Sequence, residues 1–334
     1  MRQPGAARAA RAGIGAAVRA AVRARLRHPA GEPRGTAASS ALRAASLLRG
    51  GVPANRVWRV LGERPGAPAE LRALAALIAR GRGSAEALGE VPGEEWRVLA
   101  TAWRLAEQSG APLATVLERL AQALDALERL GERRSVLIAG PRATMRLVAA
   151  LPPLALLLGA LLGFDPVGVL LGPLGALLGG IGLLLLGLGV WWAERLVSRL
   201  ASADWIAGLE CELAWVALGG GGPPHAALRR VADCADLSRA SWVRLSALVR
   251  GGPVRTVLGS AAGLGTPAGP LLLAEARGER ARALAGLERE AERLAVRMLL
   301  PIALCVLPSF VVLGVLPVLL AVLGSLGPLG PVEG

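Results

Sequence analysis

LVAALPPLALLLGALLGFDPVGVLLGPLGALLGGIGLLLLGLGVWW occupies residues 147–192, and its one charged residue is Asp165. About 20 apolar residues make a helix long enough to cross a hydrocarbon layer, so this run holds two spans. The break falls at Phe164-Asp165-Pro166. A charge at mid-membrane would cost about 2.5–3.5 kcal/mol, which a turn outside the layer avoids. The first span, residues 147–164, is short and has Pro152-Pro153 one turn in. The second, residues 167–192, ends in Trp191-Trp192, followed by Glu194 and Arg195. Tryptophan favours the interface, where its ring is half in lipid and its N–H reaches water. A transmembrane hairpin over residues 147–193 follows.

The second arm carries a seam. Gly168, Gly172, Gly175, Gly179 and Gly182 recur at steps of four and three, which puts them on one helical face. Small residues at that spacing let a second helix backbone come close. This face is expected to pack against another helix.

The chain has 334 residues and a formal net charge of +13, with 53% hydrophobic residues. All 38 basic residues are arginine. A Walker A loop needs a lysine on the phosphates, so the chain is not a P-loop ATPase. The charge also argues against nucleic acid as a partner. Twenty-four arginines precede residue 147 and fourteen lie between Arg195 and Arg297, with none in residues 147–194 or after Arg297. That is the positive-inside asymmetry of a membrane protein. Cys211, Cys234 and Cys305 have no metal-ligand spacing, and His28 and His225 are far apart. No catalytic, cofactor or metal residue is expected.

Residues 1–37 form a basic tail without the apolar core of a secretory signal peptide. They read as a disordered tail, or as one held on the inner face by anionic lipid at about 1 kcal/mol per arginine. Residues 38–146 read as a helical bundle. Gly50-Gly51-Val52-Pro53 ends a short helix, residues 55–61 and 69–79 show helical periodicity, and residues 94–108 carry Trp96, Leu99, Trp103 and Leu105. After Gly110-Ala111-Pro112 comes an amphipathic helix with Val116, Leu117, Leu120 and Leu124 on one side. Residues 194–297 are again helical and soluble in character, 298–323 form a third span containing Pro301, Pro308 and Pro317, and 324–334 are a short tail. Three prolines predict a bent helix packed against partners.

The two halves share an order. Gly51 and Pro53 precede ALIARG, as Pro224 precedes ALVRG. Gly110 and Pro112 precede one long helix and a Leu-Pro-bearing span, as Gly265 and Pro267 precede another. The expected fold is all-α: a membrane protein with two duplicated cytoplasmic helical bundles and three transmembrane helices. Leu117, Leu120 and Leu124 should be buried in the first bundle, and Leu284 and Leu287 in the second.

These residues resemble the type II secretion system F family. The resemblance rests on the Gly-x-Pro turns, ALIARG and ALVRG, SGAPLATVLERLA and GPRATMRLVAALP, and covers about residues 38–323. The closing RMLLPIALCVLPSFVVLGVLPVLLAVL is similar to that of the actinobacterial tight-adherence (Tad) pilus branch. The resemblance implies a non-catalytic platform protein of the plasma membrane. Its implied partners are a cytoplasmic secretion or pilus ATPase, pilin-like subunits and a paralogous platform protein, with homo- or hetero-oligomers. The N-terminal spans of some members are missing, as in a truncated or mis-started gene. A small oligomeric transporter or channel is the alternative, but no ionisable residue lies within a span to carry an ion or proton. The arginine distribution places the N-terminus inside, Phe164–Pro166 outside and the C-terminus outside.

Overall fold

Prolines and glycines cut the first part of the chain into short helices: α1 (Gly35–Arg49), α2 (Ala54–Gly62), α3 (Ala69–Ala79), α4 (Ser84–Glu90) and α5 (Glu94–Ser109). Then come α6 (Leu113–Leu161), α7 (Pro173–Ala201), α8 (Leu209–Leu218), α9 (Pro224–Leu237), a 3₁₀ turn (Leu245–Leu248), α10 (Pro253–Leu264) and α11 (Ala268–Arg297). The computed structural model describes residues 35–162, 168, 172–201, 206–249 and 251–325, and no strand occurs among them. The basic tail before residue 35, the hairpin turn at Phe164–Pro166 and the closing tail after Ser325 lie outside the described residues.

The chain divides into two compact units. The first comprises Met1–Glu128 and Val216–Ser241. Its core is built from large apolar side chains. Trp58 of α2 and Trp103 of α5 are fully buried, with ring centroids 5.5 Å apart at 51°, a tilted pairing that suits the ring quadrupoles. Leu61, Leu71, Leu74, Leu88, Leu99 and Leu105 of the same unit are fully buried as well. Gly62 lets α2 cross α3 closely, since a Cβ there would lie 2.3 Å from the Leu71 carbonyl oxygen. Leu117, Leu120 and Leu124 of α6 are buried as the periodicity requires. Helix α4, too short to show a period, packs on α5.

Residues 216–241, which the sequence division at 194 assigns to a second bundle, group with the first unit. Helix α9 packs on α5. The approach needs Gly220, where a Cβ would fall 2.2 Å from the Ser109 carbonyl oxygen. The Cys234 thiol donates to Gln108 Oε1 at 3.4 Å, and the Ser241 amide to Glu94 Oε2 at 2.9 Å.

The second unit comprises Arg129–Trp215 and Trp242–Gly334. Its soluble part is held by two buried carboxylates on α8. Glu210 Oε1 accepts from the Arg244 amide at 2.8 Å and from Arg244 Nε at 3.2 Å. Glu212 pairs with Arg280 of α11. Gly208 lets the backbone touch α11, with a would-be Cβ 2.6 Å from Ala276 Cα. Further along α11, Leu287, Ala291 and Leu294 turn to a different cluster, against Ile138 and Met145 of α6 and Ala193 and Val197 of α7. Leu284 falls between these two packing sites. It is 40% exposed, which corrects the expectation that it shares the core with Leu287.

Among the described residues three helices are long and apolar enough to cross a membrane: Leu113–Leu161, Gly175–Ser198 and Ala268–Leu320. The first and third join an amphipathic, charge-bearing half to an apolar half without a loop. In α6 neither Pro141 nor the Pro152-Pro153 pair ends the helix.

Candidate membrane helix interface

The apolar ends of α6 and α7 and the last helical segment of the chain meet through small residues. That segment runs as α12 (Leu299–Pro301), a π turn (Ile302–Val306), α13 (Leu307–Phe310), a second π turn (Val311–Val315) and α14 (Leu316–Ser325). On α7 the residues facing it are glycines. A Cβ on Gly182 would lie 2.5 Å from Leu313 Cγ. One on Gly189 would lie 2.9 Å from both Cys305 Cβ and Val306 Cγ2, and 3.5 Å from the Pro301 carbonyl oxygen. On the other side Gly314 faces α6, where its Cβ would meet Ala155 Cβ at 3.0 Å. A methyl group at any of these positions would push two helices apart.

Of the glycines singled out in the sequence, Gly179 and Gly182 are buried, Gly172 and Gly175 half-buried, and Gly168 exposed. The buried row continues past them through Gly189, Ala193 and Val197. The steps from Gly182 to Gly189 to Ala193 are seven and four, the same helical face. Gly189, where a Cβ would meet two side chains of the last segment at 2.9 Å, is found by the same three-four counting carried two turns further. Gly180 and Gly187 lie off this face, and a Cβ on either would meet nothing within 4 Å.

The last segment presents Pro301, Cys305, Ser309, Leu313 and Pro317 as buried residues, a strict step of four. An α-helix advances about 3.6 residues per turn, so a step of four drifts by about 40° each time. Over this row the drift would reach about 160°, carrying Pro317 to the opposite face. The two π turns prevent it, because each holds more residues per turn. Their bonds run five residues back, from the Leu307 N–H to the Ile302 carbonyl and from the Leu316 N–H to that of Val311. Each donor immediately precedes a proline, Pro308 or Pro317. A proline ring collides with the carbonyl four residues back, here that of Leu304 or Leu313, and each lies inside a π turn. Widening the turn relieves the collision and keeps the row on the seam. The Ser309 hydroxyl donates to the Val306 carbonyl at 2.8 Å, so a polar atom that lipid could not satisfy is bonded internally.

The three apolar runs begin at one level. Met145 lies beside Arg146, the last charged residue of α6, Ala193 beside Glu194, and Met298 beside Arg297. Met145, Ala193 and Met298 belong to a single buried cluster. Three changes from charged to apolar, widely separated in sequence, therefore coincide in space, as a single membrane surface requires. Arg195 stacks over the Trp191 ring at 5.3 Å from the centroid, just at this level.

The turn residues occupy helix boundaries. Gly51 has φ +88° and Pro53 precedes α2. Gly110 (φ +70°) ends α5 and Gly265 (φ +63°) ends α10, each in the left-handed conformation that glycine tolerates best. Pro112 precedes α6 and Pro267 precedes α11, while Pro224 opens α9. Cys211, Cys234 and Cys305 are buried free thiols. Burial, then the Glu210 carboxylate, pushes Cys211 up to about 12, so it holds its proton at neutral pH. Burial also raises the Cys234 thiol. Among the described residues no group of three or more His, Cys, Asp or Glu could hold a metal ion.

Residues 41–160 match the family model for the type II secretion system (T2SS), protein F. No curated protein matches the chain. The matched stretch runs from within α1 to the last turn of α6, so it takes in the short helices up to α5 and the first candidate span.

Proposed function

We propose that this chain is a non-catalytic platform protein in the plasma membrane, part of a type II secretion or Tad-like type IV pilus machine. The observation that carries this reading is the match of residues 41–160 to the T2SS protein F model. The common level of the three apolar runs supports it. In this reading the arginine-bearing helices face the cytoplasm, because arginine concentrates on the inner side. The connection at Phe164–Pro166 and the C-terminus lie outside. The soluble helices engage a secretion or pilus ATPase, and the spans handle pilin-like subunits beside a paralogous platform protein or a second copy. The Gly-x-Pro junctions before α6 and α11 mark the two halves as a duplication, and the glycine face of α7 is a packing surface.

The deciding experiment is deletion of the coding sequence followed by complementation, with assembly of pili or pseudopili as the readout. Loss of assembly restored by the full chain supports the reading. Unchanged assembly, with crosslinking in native membranes recovering no secretion ATPase, sinks it. Reporter fusions at Asp165 and Gly334 should both read outside. Replacing Gly175 and Gly179 by leucine should leave insertion intact, since leucine favours the bilayer, yet impair assembly.

A further inference from the structure

We propose that the charged rim of the three-helix seam is a binding belt for anionic phospholipid headgroups. Arg142 and Arg146 on α6, Arg195 on α7, and Arg293 and Arg297 on α11 lie within about one turn of Met145, Ala193 and Met298. On α6 and α11 the pairs are four residues apart and so share a helix face. All five side chains are exposed, and among the described residues none of the five forms an ion pair. The neighbouring carboxylates at this level are Glu194, which is half-buried, and Glu292.

Farther from the apolar runs, several arginines of the same unit are matched by carboxylates, while Arg255 and Arg289 bond to the Leu248 and Ala285 carbonyls. Arg133 pairs with Glu288 at 3.3 Å, Arg282 with Glu275 and Glu279, and Arg280 with Glu212. Five arginines without a carboxylate partner thus gather where the helices become apolar. Directly beside it, Leu147, Trp191 and Leu299 are 70%, 55% and 62% exposed. A partner that satisfies both features must present phosphate next to hydrocarbon. A guanidinium fork matches phosphate oxygens two at a time, and an inner leaflet supplies anionic headgroups at this depth. An acidic protein surface would meet the arginines and leave the adjoining apolar ring uncovered.

The belt rests on the membrane placement argued above, and the test separates the two. The full chain is reconstituted into vesicles of phosphatidylcholine with a minority of phosphatidylglycerol, and spin-labelled versions of each lipid are compared by electron paramagnetic resonance. Both labels should show a motionally restricted population, with phosphatidylglycerol favoured by on the order of fivefold at low salt. Replacing the five belt arginines by glutamine should bring the ratio near one. The charge-matched control, Arg43, Arg56, Arg64, Arg72 and Arg80 to glutamine, should retain the preference. The double variant Arg142→Gln/Arg146→Gln should fall between and guards against misfolding of the fivefold one. Restricted phosphatidylcholine of unchanged extent shows that each variant has inserted. Equal restriction of the two lipids by the native chain overturns the belt, as does a preference that survives the belt substitutions or is lost in the control. No restricted lipid of either kind overturns the membrane placement and the belt with it.

Discussion

The first unit and the membrane seam place the same residue types on opposite sides. In the first unit Trp58, Trp103, Leu61, Leu74 and Leu99 are inside, with small residues such as Gly62 and Ala100 fitted between them. In the spans, Leu157, Leu158, Leu184, Leu304 and Leu319 point outward, while Gly179, Gly182, Gly189 and Ser309 are inside. The difference follows from the solvent. Around the first unit water drives large apolar groups inward, at about 25 cal/mol per Å² buried. In lipid a leucine gains nothing by leaving the hydrocarbon, so close backbone contact and internal hydrogen bonds decide what faces inward. A helix such as α6, which belongs to both environments, changes its rule along its length. Its inward residues are Leu117 and Leu120 near one end and Pro152 and Gly159 near the other.

The strongest way to break this comparison is in the first unit. Trp103→Ala empties the centre of the core and removes the partner of Trp58, so it should cost about 3–5 kcal/mol. Hydrogen exchange of the α2 and α5 amides in the reconstituted full chain reads the loss. Protection equal to the native chain would mean that the core does not depend on this pair.

The opposite change tests the seam, where adding volume is the damaging step. Gly189→Leu would drive a side chain into Cys305, Val306 and the Pro301 carbonyl. Overpacking of this kind costs about 1–3 kcal/mol, seen as a lower unfolding temperature in nanodiscs. Gly187→Leu, on the open face of the same helix, should leave the temperature unchanged. Equal effects at 187 and 189 would deny the seam its directionality.

Much of this was legible in the sequence, and the limits have physical causes. Helices α2, α3 and α5 follow from Gly and Pro stops and a 3.6-residue period. The spans follow from charge-free runs. Helix α4 escaped because seven residues are too few to display a period. Leu284 was misassigned because a one-dimensional stripe cannot show that α11 changes partner between Ala276 and Leu287. The glycine face was visible, but one of its buried members, Gly189, lay beyond the point where the counting stopped. The four-residue row of the last segment was hidden for another reason. It makes a face only if the helix is wider than α, and the prolines signal that widening only once their carbonyl collisions are worked out.

A smaller effect probes the soluble part of the second unit. The Cys211 thiol, raised by burial and by Glu210, should resist alkylation at pH 8 in the native chain and react once the chain is unfolded. The sign of the linked stability follows. Above the ordinary thiol value of 9.0 the unfolded chain loses this proton while the folded chain keeps it up to about 12. The folded state therefore loses stability across that window as pH rises. Cys211→Ser, which does not titrate there, should flatten that part of the pH dependence in a denaturation series. An unaltered slope would place Cys211 in water.

The smallest expected effect is also the sharpest test of the inversion. Leu184 is 67% exposed on α7, on the side away from the last segment. Leu117 is fully buried in the first unit. The chemical change Leu→Ala is identical at both positions. At 117 it leaves a cavity in a water-excluding core and should cost about 2–5 kcal/mol. At 184 lipid chains close over the missing atoms, so no cavity remains. The loss is then bounded by the leucine insertion preference, about 0.3–0.6 kcal/mol. Parallel unfolding of the two variants in nanodiscs measures the ratio directly. A large cost at 184 would mean that the outer face of α7 is covered by protein, a second copy or a partner span. The exposed leucines would then be an interface, and the contrast between the two regions would hold only for the isolated chain.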